Sequence, residues 1–186
     1  MARTAPNRLS KISRPAENRV LGLDLRPSKV GFVVLEGPSK SKLVDWGVRT
    51  FGPRRNDRQA VATRRISSLL DLYSPRLVVL RRRTGHSVEA DHVVIHMIQA
   101  LRKETKGRAI TLRLTDARQV RDFFALHSCK TKQQIATLVA EWYPELAWKL
   151  PPKRKPWQSE PYGASLFDAA AAVMIFRNET GHERGE

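Results

Sequence analysis

The sequence predicts an α/β domain on a five-stranded mixed sheet: a three-stranded antiparallel meander, then β-α-β-α, flanked by helices. Three observations predict it. Two apolar runs near the N-terminus are separated by a Pro-Ser turn. The next segment alternates apolar and polar residues. Beyond it, short β-branched runs are interleaved with stretches of helical period.

The elements follow in order. Arg19 to Leu25 is a buried strand, Pro27-Ser28 a turn, and Val30 to Glu36 the second strand of a hairpin. Gly37-Pro38-Ser39 turns the chain again, and Val44, Trp46 and Val48 alternate with polar neighbours as a third strand. Asn56 or Asp57 can cap a helix in which Ile66, Leu69, Leu70 and Tyr73 share one face. Pro75 closes that helix before the short buried strand Leu77 to Leu80. Val94, Met97, Ile98 and Leu101 mark the next helix, which ends before Gly107.

Ile110, Leu112 and Leu114 make the fifth strand. Thr115 or Asp116 caps a short helix with Val120, Phe123 and Phe124, and Thr131 opens another with Ile135, Leu138, Val139 and Trp142. A basic, proline-rich segment from Leu150 to Trp157 precedes an Ala-rich last helix, about Leu166 to Asn178. The organisation is a basic arm (1–18), one domain (19–178) and a polar tail (179–186).

Composition sets the partner class. Of 186 residues, 34 are Lys or Arg and 18 Asp or Glu, a net charge of +16, while 41% apolar residues suffice for a core. Such an excess suits a polyanion, because each cation near a phosphate releases condensed counterions. The charge lies in four groups of about +4: Arg3 to Arg19 against Glu17; Arg54 to Arg65 against Asp57; Arg76 with Arg81, Arg82 and Arg83; and Lys149, Lys153, Arg154 and Lys155. Nucleic acid is the expected partner. No apolar run approaches the ~18 residues of a membrane span, so no membrane partner is expected.

The arm lacks an apolar core and is no secretory signal. Two readings stay open: a solvated arm on a cytoplasmic, nucleoid-associated protein, or an organellar transit peptide. A single cysteine, Cys129, excludes an internal disulfide and points to a reducing compartment.

Two carboxylates stand out. Asp24 sits in an otherwise apolar strand, where a charge must be paired, hydrogen-bonded or metal-bound. Asp168 opens the last helix, where a capping role is the competing reading.

Around them the chain resembles a family. VLGLDLRPSKVGFVVL, Val20 to Leu35, is similar to the first hairpin of RuvC-type Holliday-junction resolvases, within the ribonuclease H-like superfamily. Val120 to Val139 resembles that family's segment before its last helices, with Lys132 opening the helix, and FDAAAAVMIF, Phe167 to Phe176, resembles its closing Asp-Ala-rich helix. The resemblance implies a ribonuclease H-like fold, a homodimer, and a structure-specific endonuclease with two Mg²⁺ or Mn²⁺ ions about 3.5–4 Å apart. Asp24 matches the first-strand ligand. Asp168 matches the last, with Ser165 at the preceding position, or else Asp168 is the earlier member and Ala171 stands last.

One departure matters. Where the family has a glutamate on the fourth strand, this chain reads LVVLRRR, so Arg81, or Arg82 with a one-residue shift, replaces it. An arginine repels a cation and cannot ligate one. It can instead hold a phosphate bidentately. The implied enzyme therefore has metal-dependent hydrolysis weakened or lost unless Glu89, Asp91 or Asp116 supplies the third acid. The alternative is a non-catalytic DNA- or RNA-binding protein on the same fold.

The expected contacts to nucleic acid are Arg81, Arg82, Arg83, Lys132, Lys153, Arg154, Lys155 and Trp157, the last beside cations that would track phosphates while its ring stacks on a base. For Trp148 a core position is the competing reading. His92 and His96, one helical turn apart, are expected as a surface pair, and His127 with Cys129 as a loop pair without chemistry. Asp24-Leu-Arg-Pro-Ser28 also distantly resembles the phosphate hairpin of actin-like ATPases, but the chain has no second phosphate loop and is too short for two such lobes.

Overall fold

Strand β1 (Arg19–Arg26) turns through Pro27 and Ser28 into β2 (Lys29–Glu36), and the antiparallel ladder runs from Arg26 opposite Lys29 to Arg19 opposite Glu36. This computed structural model describes residues 19–37, 42–52, 57–82, 88–153, 157 and 160–182, the backbone only at 88–91, 93 and 177–182. The expected basic arm lies outside the described residues. Strand β3 (Lys42–Thr50) pairs antiparallel with β2 through a bulge at Val34 and Leu35. Helix α1 (Arg58–Tyr73) leads to β4 (Leu77–Arg81), which runs parallel to β1. Helix α2 (Val88–Gly107) leads to β5 (Thr111–Thr115), parallel to β4. The sheet order is β3-β2-β1-β4-β5, the mixed five-stranded sheet predicted.

Helices α3 (Ala117–Ala125) and α4 (Lys132–Trp142) follow, then a 3-10 turn (Pro144–Lys149) and α5 (Ala164–His182). Asp116 caps α3 and Thr131 caps α4, each in a reciprocal box with a glutamine three residues on. Asp57 stands at the start of α1 without a side-chain capping bond. Helix α5 begins at Ala164, before the expected Leu166, and runs past the expected end at Asn178, so the segment read as a polar tail opens as its last turn.

Strand alternation divides the core into two layers. Leu21, Leu23, Leu25, Val78 and Leu80 face α1 and α2, where they meet Ile66, Leu69, Leu70, Met97 and Leu101. Val33, Leu35 and Val79 face the other side, against Phe124, Val139, Ala170 and Val173 of α3, α4 and α5. By the same alternation Gly22, Asp24 and Arg26 of β1, and Arg81 of β4, belong to the α5 side.

Two glycines set how close α5 comes. A methyl group on Gly22 would meet the Ala169 carbonyl at 2.7 Å and the Val173 side chain closer still. One on Gly31 would overlap the Ser165 carbonyl group. Gly31 is also the ladder partner of Asp24. The helix backbone therefore lies directly on the sheet beside Asp24, with the small Ala169, Ala170 and Ala172 buried beneath it.

Gly31→Ala is accordingly expected to lower the unfolding free energy by about 1–3 kcal/mol, read from the urea midpoint at unchanged m-value. A neutral result would mean that α5 can slide to make room.

Candidate functional site

At the C-terminal ends of β1 and β4 the close approach of α5 concentrates six charged side chains. Asp24 and Arg26, two residues apart, project to one face, and the parallel register sets Arg81 beside Asp24. That register settles the fourth-strand position as Arg81; Arg82 lies beyond the strand, exposed, with its N–H donating to the Thr115 carbonyl. One turn into α5, Asp168 comes down over the pair. Glu160, just before α5, and Lys132, the first residue of α4, close the cluster.

Arg26 is the hub. Its Nε donates to Asp24 Oδ2 at 2.7 Å, its Nη1 to Glu160 Oε2 at 2.6 Å, and its Nη2 to Asp168 Oδ2 at 2.8 Å. Arg81 Nη1 pairs with the same Asp168 oxygen and stands 3.8 Å from Asp24 Oδ1. Lys132 Nζ donates to Glu160 Oε1 at 2.5 Å and lies 4.0 Å from Asp168. Three carboxylates thus face three cations.

Asp24 is wholly buried, and Arg26 and Arg81 are 8% and 6% exposed. Burial pushes the Asp24 carboxyl up to about 6, with the nearby Asp168 charge adding to it and Arg26 and Arg81 opposing. Its Oδ1 accepts no hydrogen bond among the described residues. For Arg26, burial works against the charged form, but Asp24, then Asp168 and Glu160, hold it above its ordinary value.

These residues do not fit a pair of divalent ions as they stand. Guanidinium groups already occupy carboxylate oxygens of Asp24, Glu160 and Asp168, and Arg81 occupies the strand position where the resemblance sets a ligand. Among the described residues no group of three His, Cys, Asp or Glu is arranged to hold a metal.

Of the expected rescuing acids, Asp116 spends its carboxylate on the N–H groups of Arg118 and Gln119. The side chains of Glu89 and Asp91 lie outside the described residues. The third acid comes instead from Glu160, which the sequence reading missed; its signal was a lone acid after a basic, proline-rich run. Ser165 is buried one turn before Asp168, and Ala171 is buried one turn after it, so among the described side chains of α5 only Asp168 brings a carboxylate.

Two clefts flank Lys132 and Asp168. One, about 240 Å³, is lined by Lys132, Lys153, Glu160 and Phe167. The other, about 170 Å³, is lined by Arg81, Arg121, Lys130 and Lys132. Arg121 and Lys130 are exposed cations absent from the sequence expectations. Trp157 and Trp148 are 77% and 72% exposed, so Trp148 is not a core residue; Lys149 Nζ sits 4.0 Å from its ring centre. Arg83, Arg154 and Lys155 lie outside the described residues.

His92 and His96 are exposed on α2. Cys129 is buried, its Sγ lies 3.6 Å from the His127 carbonyl oxygen, and burial raises its thiol pKa, so nothing activates it.

The Asp24 shift makes a signed pH prediction. Below about pH 4 the residue is protonated in both folded and unfolded chains; between about pH 4 and 6 only the folded chain keeps the proton, and stability is lost as pH rises through about 6. From about pH 4 to 7 the unfolding free energy of the wild type should therefore fall by about 3 kcal/mol relative to Asp24→Asn. A pH-independent gap between the two proteins would show that Asp24 ionises as it does in the unfolded chain.

No protein-family model and no curated protein matches the sequence. Solved structures do. Thermus thermophilus RuvC in complex with a Holliday junction substrate is similar at 17% identity over 91% of this chain and 97% of that one, with a TM-score of 0.64. Another structure of Thermus thermophilus RuvC gives 20% identity, 87% and 97% coverage and a TM-score of 0.65. The yeast mitochondrial Holliday junction resolvase gives 14% identity, 90% and 82% coverage and a TM-score of 0.66. Across nearly its whole described length, the chain has the RuvC-type, ribonuclease H-like fold.

Proposed function

We propose that this chain binds branched or duplex DNA on its RuvC-type fold without cutting it by two-metal chemistry. The observation that carries the reading is Arg81, whose guanidinium lies between Asp24 and Asp168. A cation held there by two carboxylates takes the place and the charge of an ion that would activate water. Three further observations support it. The net charge is +16, exposed cations line both clefts beside the cluster, and a RuvC of the same fold is seen with a Holliday junction substrate.

Among the described residues the cluster pairs three acids with three bases, so affinity falls to the exposed cations beside it: Arg121, Lys130 and Lys153. A homodimer placed across the two-fold axis of a four-way junction is part of this reading. One observation favours a second reading, a metal-dependent endonuclease: three acids, Asp24, Glu160 and Asp168, gather on the single guanidinium of Arg26. On that reading, divalent ions displace the guanidiniums.

A labelled four-way junction and a matched duplex separate the two. Binding is expected in EDTA and in Mg²⁺ or Mn²⁺ alike, with both strands intact. Log affinity should fall linearly with log salt, and Arg121→Ala and Lys130→Ala should each weaken binding and flatten that slope by about one. A metal-dependent nick that Asp24→Asn abolishes would establish the second reading. Binding that hardly weakens between low and moderate salt would sink the first.

A further inference from the structure

The two oxygens of Glu160 lie on two different cations, Oε2 at 2.6 Å from Arg26 Nη1 and Oε1 at 2.5 Å from Lys132 Nζ. Arg26 is buried at the end of β1, while the Lys132 side chain is 56% exposed at the start of α4. The carboxylate therefore bridges the inside of the cluster and its surface. It also lines the cleft of about 240 Å³ that carries Lys132 and Lys153.

A guanidinium and an ammonium placed to share one bidentate acid are equally placed to share two oxygens of a phosphate. Glu160 differs from Asp24 and Asp168 in how it is held. Those two belong to β1 and α5, whereas Glu160 precedes Pro161 and the Tyr162–Gly163 turn and lies outside any helix or strand. It is also the most exposed of the three acids, at 20% of its side chain.

We infer that Arg26 and Lys132 form a phosphate seat that Glu160 fills as an internal substitute, and that a phosphodiester of the bound nucleic acid displaces the Glu160 carboxylate. The inference rests on the nucleic-acid reading for the identity of the ligand, but the seat is defined by the two cations. In the displaced arrangement Arg26 keeps Asp24 and Asp168 through Nε and Nη2, so the buried part of the cluster stays neutralised while Nη1 and Lys132 change partner. Glu160 then sets a threshold: weak or non-specific contacts do not outcompete a carboxylate already in place, whereas a backbone docked through the surrounding cations does.

Glu160→Gln tests this, with Glu145→Gln, an exposed acid on the 3-10 turn, as the control for charge alone. Glu160→Gln is expected to bind the four-way junction about fivefold to tenfold more tightly than wild type, with a salt slope steeper by about one. Glu145→Gln should change affinity by less than about twofold. The gain should vanish in a Lys132→Ala background. Equal effects of the two glutamine variants, or a gain that survives loss of Lys132, would overturn the inference.

Glu160→Asp keeps the charge but shortens the reach, and serves if the glutamine variant fails to fold; it should also bind more tightly than wild type, and unchanged binding counts against the seat. Inorganic phosphate is the second arm. It should raise the melting temperature of Glu160→Gln more than that of wild type, and equal shifts would overturn the seat. If no variant binds DNA, the nucleic-acid reading fails, and the phosphate arm still decides whether the seat exists.

Discussion

The wholly buried carboxylate of Asp24 is the constraint from which the rest of the site follows. Leaving it charged and alone in the interior would cost far more than the domain's net stability. Gly22 and Gly31 let α5 settle onto β1 and β2, which brings a second carboxylate, Asp168, onto the first. Two acids in one dry corner need positive charge. The chain supplies it from within, through Arg26 on the same strand and Arg81 on the neighbouring one. Such clusters contribute little net stability compared with apolar packing, but removing one member leaves a buried charge exposed to its neighbours' fields. The buried part, Asp24 and Asp168 with Arg26 and Arg81, is therefore a neutral unit in which each member depends on the others.

Most of the fold was legible because its signals are local. The hairpin turn, the alternation in β3, the helix starts at Asp116 and Thr131 and the succession of five strands are each written within a few residues of where they act. Helix ends were less legible. The first turn of α2, from Val88, carries no apolar spacing, and Ala164 and Ser165 read as part of a turn until α5 is seen lying on Gly31.

Asp24, Asp168 and Arg81 were identifiable because each breaks the pattern of its element. Arg26 carried a usable signal, since residues two apart on a strand share a face, yet its basic neighbourhood gave no reason to single it out. Glu160 carried only a faint local signal, a lone acid after a basic, proline-rich run, because its role depends on β1 and α4, both distant in sequence. The choice between Arg81 and Arg82 also needed tertiary information, because a parallel register is set by the crossover helix rather than by a turn.

The balance of the cluster shapes the field around the molecule as well as its chemistry. With three acids matching three bases in the cluster, the uncancelled charge nearest to it is on the exposed cations of the flanking clefts, Arg121, Lys130 and Lys153. A cleft with unpaired acids would draw field lines inward and place a divalent ion at their focus. Here exposed cations stand in the clefts beside a cluster whose own charges are paired. On the proposed reading, a polyanion would meet those cations along its backbone rather than at a single focus. On that reading, such a surface would suit contact along a duplex or an arm of a junction more than the fixing of one bond.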